Sequence, residues 1–179
     1  MVQKALFLDR DGVINVDYGY VYKISNFKFH RGIFRLASKA VNKGYHIIVV
    51  TNQAGIARGY YNESDFLKLS NWMCGEFQKN ECPILKVYFA PTHPTEGKGK
   101  YKMLDYRRKP NPGMILEAAC EFNLDLDDSI MIGDKHTDIE AGLSAGVGCN
   151  ILLGDSNKVA TLDDNVKVVS SLKQAELYL

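Results

Sequence analysis

Residues 5–12 read Ala5-Leu6-Phe7-Leu8-Asp9-Arg10-Asp11-Gly12, four apolar residues followed by three charged ones and a glycine. The apolar run is short and stops at a charged turn, so it reads as a buried strand. The same sentence is written again along the chain. Ile47-Ile48-Val49-Val50 lies between Gly44 and Thr51-Asn52, and Ser129-Ile130-Met131-Ile132 is closed by Gly133-Asp134. Ile84 to Phe89 carries Val and Tyr, which favour strands. Val147 to Leu153 predicts a fifth strand, and Val166 to Val169 is a weaker edge candidate.

Helical spacing fills the intervals. Ile33, Leu36, Ala37, Ala40 and Val41 form one face that stops at Gly44. Asn62 can cap a helix whose face is Phe66, Leu69, Met73 and Phe77. Asn111 and Pro112 read as N-cap and first position of a helix carrying Met114, Ile115, Ala118, Ala119 and Phe122. Thr137 to Leu143 predicts a short helix ending near Gly146. The aromatic and Met stripes, Trp72 included, read as core packing.

Near-continuous apolar strands alternating with helices imply a doubly wound, Rossmann-like α/β fold, its mainly parallel sheet covered on both faces. Right-handed crossovers place every strand's carboxyl end on one edge, where such sheets bind ligands. The polar punctuation collects at that edge: Asp9-Arg10-Asp11-Gly12, Thr51-Asn52 and Gly133-Asp134-Lys135. One domain over residues 1–179 is expected, with no large cap. Two interruptions stand out. Residues of about 12–30 contain Tyr18-Gly19-Tyr20-Val21-Tyr22 and are long enough for a small hairpin flap. Residues of about 91–110 form a polar, Gly- and Lys-rich loop, and long ordered loops in compact domains are often functional.

Composition bounds the partners. A formal net charge of +1 gives no global field for nucleic acid or anionic lipid. The apolar start after Met1-Val2-Gln3-Lys4 is too brief for a secretory signal, and no stretch reaches the roughly 18 apolar residues of a membrane span. Cys74, Cys82, Cys120 and Cys149 show no Cys-x-x-Cys pair and read as free thiols in a reducing cytoplasm. A monomer acting on a small molecule is expected. A nicotinamide site is excluded, because no Gly-x-Gly-x-x-Gly follows the first strand.

An Asp-x-Asp pair alone is weak, since acidic residues commonly open turns after strands. Asp9, Asp11 and Asp134 at one sheet edge are stronger, because a hard cation such as Mg2+ takes oxygen ligands. Thr51 and Asn52 add donors. Lys109, held extended before Pro110 and close to a helix start, suits an anion. Together these groups can carry phosphoryl transfer: carboxylate and cation serve the nucleophile, and Lys, Thr and Asn orient equatorial oxygens.

The set Asp9-Arg10-Asp11-Gly12-Val13, Thr51-Asn52, Lys109-Pro110 and Gly133-Asp134 resembles the four motifs of the haloacid dehalogenase superfamily. Ile14 to Asp17 with Gly19-Tyr20-Val21, Thr51 to Gly59 and Arg108 to Met114 are similar to the D-glycero-D-manno-heptose 1,7-bisphosphate phosphatases, relatives of histidinol-phosphate phosphatase. The resemblance implies that Asp9 is the nucleophile and Asp11 the acid/base. It implies Mg2+ on the Asp9 side chain, the Asp11 carbonyl and Asp134. Thr51 and Lys109 would then hold the transferred phosphoryl group, and Asn52 and Arg108 the rest of the substrate. Asp138 and Lys135 would support the metal loop.

That family commonly carries a structural zinc held by Cys-x-His and Cys-x-Cys. Here the corresponding positions are Ala90-Pro91-Thr92 and Asp105-Tyr106-Arg107, and one leftover His93 cannot hold zinc, so none is expected. The loop's Lys98, Lys100, Lys102, Arg107, Arg108 and Lys109 read either as a solvated basic face or as a clamp for a second phosphate. The implied activity is removal of the 7-phosphate from a heptose bisphosphate. A histidinol-phosphate or other small-phosphate phosphatase, a polynucleotide-end phosphatase and a phosphorylatable regulatory domain are the alternatives.

Overall fold

The computed structural model describes residues 3–154 and 164–179; Met1 and Val2, which precede the apolar start, lie outside them. Its centre is a six-stranded, all-parallel sheet. The strands are β1 (Lys4–Leu8), β2 (Tyr45–Asn52), β3 (Ile84–Ala90), β4 (Ile130–Gly133), β5 (Cys149–Leu153) and β6 (Val166–Val169). Their spatial order is β3-β2-β1-β4-β5-β6, so the chain moves outward from β1 one way and returns to start again at β4. The crevice of such a sheet opens where the order reverses, between β1 and β4. Those two strands pair with Leu8 opposite Ile132. Asp9 and Asp134 therefore emerge on either side of the reversal.

The helices are α1 (Ile33–Asn42), α2 (Ala54–Arg58), α3 (Glu63–Lys79), α4 (Gly113–Phe122), α5 (His136–Ala145) and α6 (Leu172–Ala175). Alternate strand residues serve opposite layers, as the period of two requires. Leu6, Leu8, Ile47, Val49, Ile130 and Ile132 pack with Ile33, Leu36, Leu69, Met73 and Phe77 of α1 and α3. Ala5, Phe7, Ile48, Val50 and Met131 pack with Met114, Ile115 and Ala118 of α4 and Ala141 of α5. Both faces are covered, which is why these strands carry no polar alternation.

Local signals act where they are expected, with one correction. Asn62 caps α3 through a reciprocal box, accepting from Asp65 N–H at 2.9 Å while Asp65 Oδ2 accepts from Asn62 N–H at 3.1 Å. Gly146 ends α5 with φ at 85°. The N-terminus of α4 differs from the reading of the sequence: Pro112 is the cap and Gly113 the first helical residue. The Pro112 carbonyl receives Ile115 and Leu116 N–H, while Asn111 Nδ2 turns to the Asp105 carbonyl at 3.4 Å. The arms of the segment after Asp11 meet in a single antiparallel bridge, Asn15 opposite Phe29, with no longer ladder among the described residues. Its neck is tied by Val16 N–H to the Lys28 carbonyl at 2.9 Å and His30 N–H to the Ile14 carbonyl at 2.8 Å. Its far side is a short 3-10 turn at Ile24–Asn26. Gly19 N–H donates to Asp17 Oδ1, and the rings of Tyr20 and Tyr22 rest on those of Tyr60 and Tyr61. Among the described residues no helix is long and apolar enough to cross a membrane.

Candidate active site

The carboxyl ends of the strands enclose a cavity of about 500 Å³. Asp9, Asp11, Asn52, Gln53, Arg108, Lys109, Lys135 and Asp138 line it, with Asp17, Gly19 and Tyr20 contributed by the segment after Asp11. Asp9 follows β1 directly, and its N–H donates to the Ile132 carbonyl at 3.0 Å, continuing the β1–β4 pairing by one bond.

Lys109 is the hub beneath this cavity. Its buried ammonium donates to Asp9 Oδ1 at 2.8 Å, Asp138 Oδ1 at 2.6 Å and the Val50 carbonyl at 2.7 Å. Three acceptors use all three of its hydrogens. Burial alone would discharge this lysine, but Asp138 and Asp9 outweigh it and hold the ammonium more firmly charged than usual. Burial pushes the Asp9 carboxyl above the ordinary carboxylate range, Lys109 pulls it back, and Asp138 pushes it up again. Asn52 fixes the lysine's backbone: Nδ2 donates to the Lys109 carbonyl at 2.9 Å, and Oδ1 accepts from Lys109 N–H at 3.0 Å. The amide assigned from the sequence to substrate is thus engaged in shaping the loop, although Asn52 still borders the cavity.

Carboxylate oxygens of Asp9, Asp134 and Asp138 lie within 4.8 Å of one another. Both Asp138 oxygens are occupied, Oδ1 by Lys109 and Oδ2 by Lys135 N–H at 3.0 Å. Asp134 Oδ1, in contrast, is buried and without a hydrogen-bond partner. Burial raises the Asp134 carboxyl, Lys135 lowers it, and Asp138 raises it further. A buried, unpartnered carboxylate oxygen facing two more carboxylates is a donor set of the kind a hard divalent cation satisfies. Two glycines make the approach possible. A Cβ on Gly12, whose φ is 93°, would overlap the Asp134 carboxylate, and one on Gly133 would overlap Asp138.

Asp11 is held from three directions. Arg10 Nη2 reaches Oδ1 at 2.9 Å and Oδ2 at 2.7 Å, Asn15 Nδ2 reaches Oδ1 at 3.1 Å, and Gln53 Nε2 reaches Oδ2 at 3.2 Å. Gln53 also donates to Thr51 Oγ1 at 2.8 Å, and its own oxygen accepts from Tyr61 OH at 2.5 Å. Thr51 is buried, with its hydroxyl beside the amide that bridges it to Asp11. Arg10, Asn15, Gln53 and Tyr61 received no role from the sequence. The available signal is Arg10 itself, a charge two residues past a buried strand and between two carboxylates.

The loop of residues 91–110 is joined across its base. Thr92 Oγ1 donates to Asp105 Oδ2 at 2.8 Å, Arg107 N–H donates to Asp105 Oδ1 at 2.9 Å, and Arg108 Nη1 donates to the Thr92 carbonyl at 2.9 Å. Thr92 and Asp105, two of the positions that correspond to the family's zinc ligands, are thus bonded to each other. Of the basic residues, Lys100 faces Glu63 at 3.8 Å and Arg107 faces Glu117 at 3.1 Å. Arg108 and Lys109 are the loop's residues that reach the cavity among those described. Burial and the nearby Arg58 lower Arg108 from the usual arginine range, while Asp105 raises it.

A family model described as "HAD-hyrolase-like" matches residues 106–175. A Burkholderia mallei protein named D-glycero-alpha-D-manno-heptose-1,7-bisphosphate 7-phosphatase is 57% identical over 163 residues, covering 90% of this chain and 86% of its own. A Haemophilus influenzae protein named for the beta anomer is 45% identical over 152 residues, covering 85% and 82%. The crystal structure of D,D-heptose 1,7-bisphosphate phosphatase from B. bronchiseptica, complexed with magnesium and phosphate, superposes with a TM-score of 0.84. It covers 98% of this chain and 97% of its own at 24% identity, a likeness of fold. With relatives of this identity over most of their length, the chain belongs to the haloacid dehalogenase-like hydrolases and, within them, to the family of the heptose-bisphosphate 7-phosphatases.

Proposed function

We propose that this protein is a Mg2+-dependent phosphomonoesterase that removes the 7-phosphate of D-glycero-D-manno-heptose 1,7-bisphosphate through an aspartyl phosphate. The observation that carries the chemistry is the Asp9–Lys109–Asp138 arrangement beside the unpartnered Asp134 oxygen. A carboxylate nucleophile in a cavity of anions needs compensating positive charge on both sides. Lys109 supplies one side, and a cation held by Asp9, Asp134 and the Asp11 carbonyl would supply the other, screening the approach of one anion to another.

In the first step an Asp9 oxygen forms a bond to phosphorus, the phosphorus–ester oxygen bond breaks, and the leaving oxygen takes a proton from Asp11. In the second, Asp11 accepts a proton from water as water attacks phosphorus, and the bond to Asp9 breaks. Lys109, its hydrogens engaged by Asp9, Asp138 and the Val50 carbonyl, offsets the phosphoryl charge from beneath the cavity, and the Thr51 hydroxyl orients a phosphoryl oxygen. Arg108, which also borders the cavity, contacts the remainder of the sugar.

The substrate rests on the relatives, whose names carry the same heptose bisphosphate. The relative at 57% identity is named for the alpha anomer and the one at 45% for the beta, which favours alpha here. The proposed setting is the cytoplasm, where the protein acts as a monomer. The test is phosphate release from both heptose bisphosphate anomers, histidinol phosphate and a 3′-phosphorylated oligonucleotide. The alpha anomer should give the highest kcat/KM. Preference for histidinol phosphate or the oligonucleotide would overturn the substrate assignment and leave the phosphatase chemistry standing.

A further inference from the structure

Arg10 lies between the nucleophile and the acid/base, and the roles proposed for its neighbours leave it unused. It is 1% exposed. Its Nη2 donates to both oxygens of Asp11 and to the Val21 carbonyl at 2.6 Å. Its Nε and Nη1 are buried without hydrogen-bond partners, and its guanidinium carbon lies 5.7 Å from the centre of the Phe66 ring. A buried cation with unused donors is costly. The geometry concentrates what this one does offer on a single carboxylate and a single backbone carbonyl.

That carbonyl belongs to the segment over the cavity. Asp17, Gly19 and Tyr20 line the cavity from the same stretch of chain. Its next residue, Tyr22, stacks on Tyr61 with centroids 5.0 Å apart and ring planes at 10°. Tyr61 donates to Gln53, and Gln53 donates to Asp11. Two adjacent residues, Val21 and Tyr22, therefore reach the Asp11 carboxylate by separate routes that meet at Oδ2. One passes through Arg10 and the other through Tyr61 and Gln53.

From this we infer that Arg10 is a positioning residue: it aims the Asp11 carboxylate at the leaving oxygen and ties that aim to the segment of residues 17–22, which faces the substrate. The inference rests on the acid/base role proposed for Asp11. Expulsion of an alkoxide needs a correctly directed proton, whereas a dinitrophenolate leaves without one. Asp9 attack on phosphorus is common to both.

The experiment compares single-turnover cleavage of a heptose bisphosphate with the burst of 2,4-dinitrophenolate from 2,4-dinitrophenyl phosphate. For Arg10→Met, the sugar ester should slow on the order of a hundredfold, the lower end of what a directed acid contributes, while the aryl burst stays within about threefold of wild type. Tyr61→Phe should show the same split in smaller degree, and it carries the comparison if Arg10→Met does not fold. Asp11→Asn is the reference. If Asp11→Asn slows both substrates alike, the acid/base role fails. If Asp11→Asn shows the split but Arg10→Met and Tyr61→Phe slow both substrates equally, Arg10 only braces the loop after β1, and the inference is overturned.

Discussion

Lys109 Nζ lies 2.6 Å from Asp138 Oδ1, and each side chain is 1% exposed, so the ion pair is sealed from solvent. Removing the lysine leaves Asp138 and Asp9 facing each other without a counter-charge. Breaking a buried pair from one side costs about 3–5 kcal/mol. Lys109→Met should lower stability to urea by about that amount and abolish turnover, while Lys109→Met with Asp138→Asn should recover part of the stability and none of the turnover. Strictly additive losses in the double variant would show that the two side chains do not act as a pair.

Asp9→Asn should eliminate turnover and leave no acyl phosphate after acid quench, because the amide is a poor nucleophile. Asp11→Asn should lose turnover on the sugar substrate and keep Mg2+, since its proposed metal ligand is a carbonyl oxygen. Equilibrium dialysis and mass spectrometry of the quenched protein decide both. Substantial activity in Asp9→Asn, with deamidation excluded, removes the covalent route.

Chelation should stop activity, and Mg2+ should restore it, while the circular dichroism spectrum stays unchanged. Elemental analysis of protein purified without metal-affinity resin should find no stoichiometric zinc, because Thr92 and Asp105 already join the two sides of the loop. One zinc per chain, lost together with tertiary structure, would contradict this.

Gly12→Ala should lower Mg2+ affinity on the order of 10- to 100-fold, the usual effect of disturbing the groups around metal ligands. The added methyl has no room beside the Asp134 carboxylate and would sit on a residue with φ at 93°. An isothermal titration showing wild-type affinity would mean that Asp134 can retreat without leaving the cation.

Arg108→Ala should reduce kcat/KM for a heptose bisphosphate about ten- to a hundredfold, the worth of one lost charged hydrogen bond, and hardly change that for an aryl phosphate. Lys109→Ala should damage both. Asp105→Ala should act like a milder Arg108→Ala by freeing Thr92, whose carbonyl anchors the guanidinium. An equal effect of Arg108→Ala on the two substrates would assign Arg108 to the chemical step.

The layers of this fold were written plainly in the sequence because β1, β2 and β4 are buried on both faces and carry unbroken apolar runs. The order of the strands was not, since adjacency is decided by which face each crossover takes. α2 escaped notice because Ala54–Arg58 is five residues inside a Gly-punctuated stretch that also reads as a turn. The acidic residues and Lys109 could be picked out because they close strands or open a helix. Gln53 and Tyr61 could not, for their partnership with Asp11 depends on a loop folding back over β2. The pair of hydrogen bonds between Asn52 and Lys109 is likewise a matter of a strand end meeting a distant loop, and neither residue announces the other.

The all-parallel sheet has one more consequence. Every neighbouring pair of strands is separated in sequence by at least one helix or long connection, and β1 meets β4 only after two other strands, β2 and β3, and their helices have been made. Such distant pairings close late in folding and are lost together. Asp9 and Asp134 stand on the two sides of that seam, so no fragment ending before β4 can hold the cavity. In urea, catalytic activity should therefore fade along the same curve as near-ultraviolet circular dichroism, which would make turnover itself a gauge of whether the whole sheet is intact.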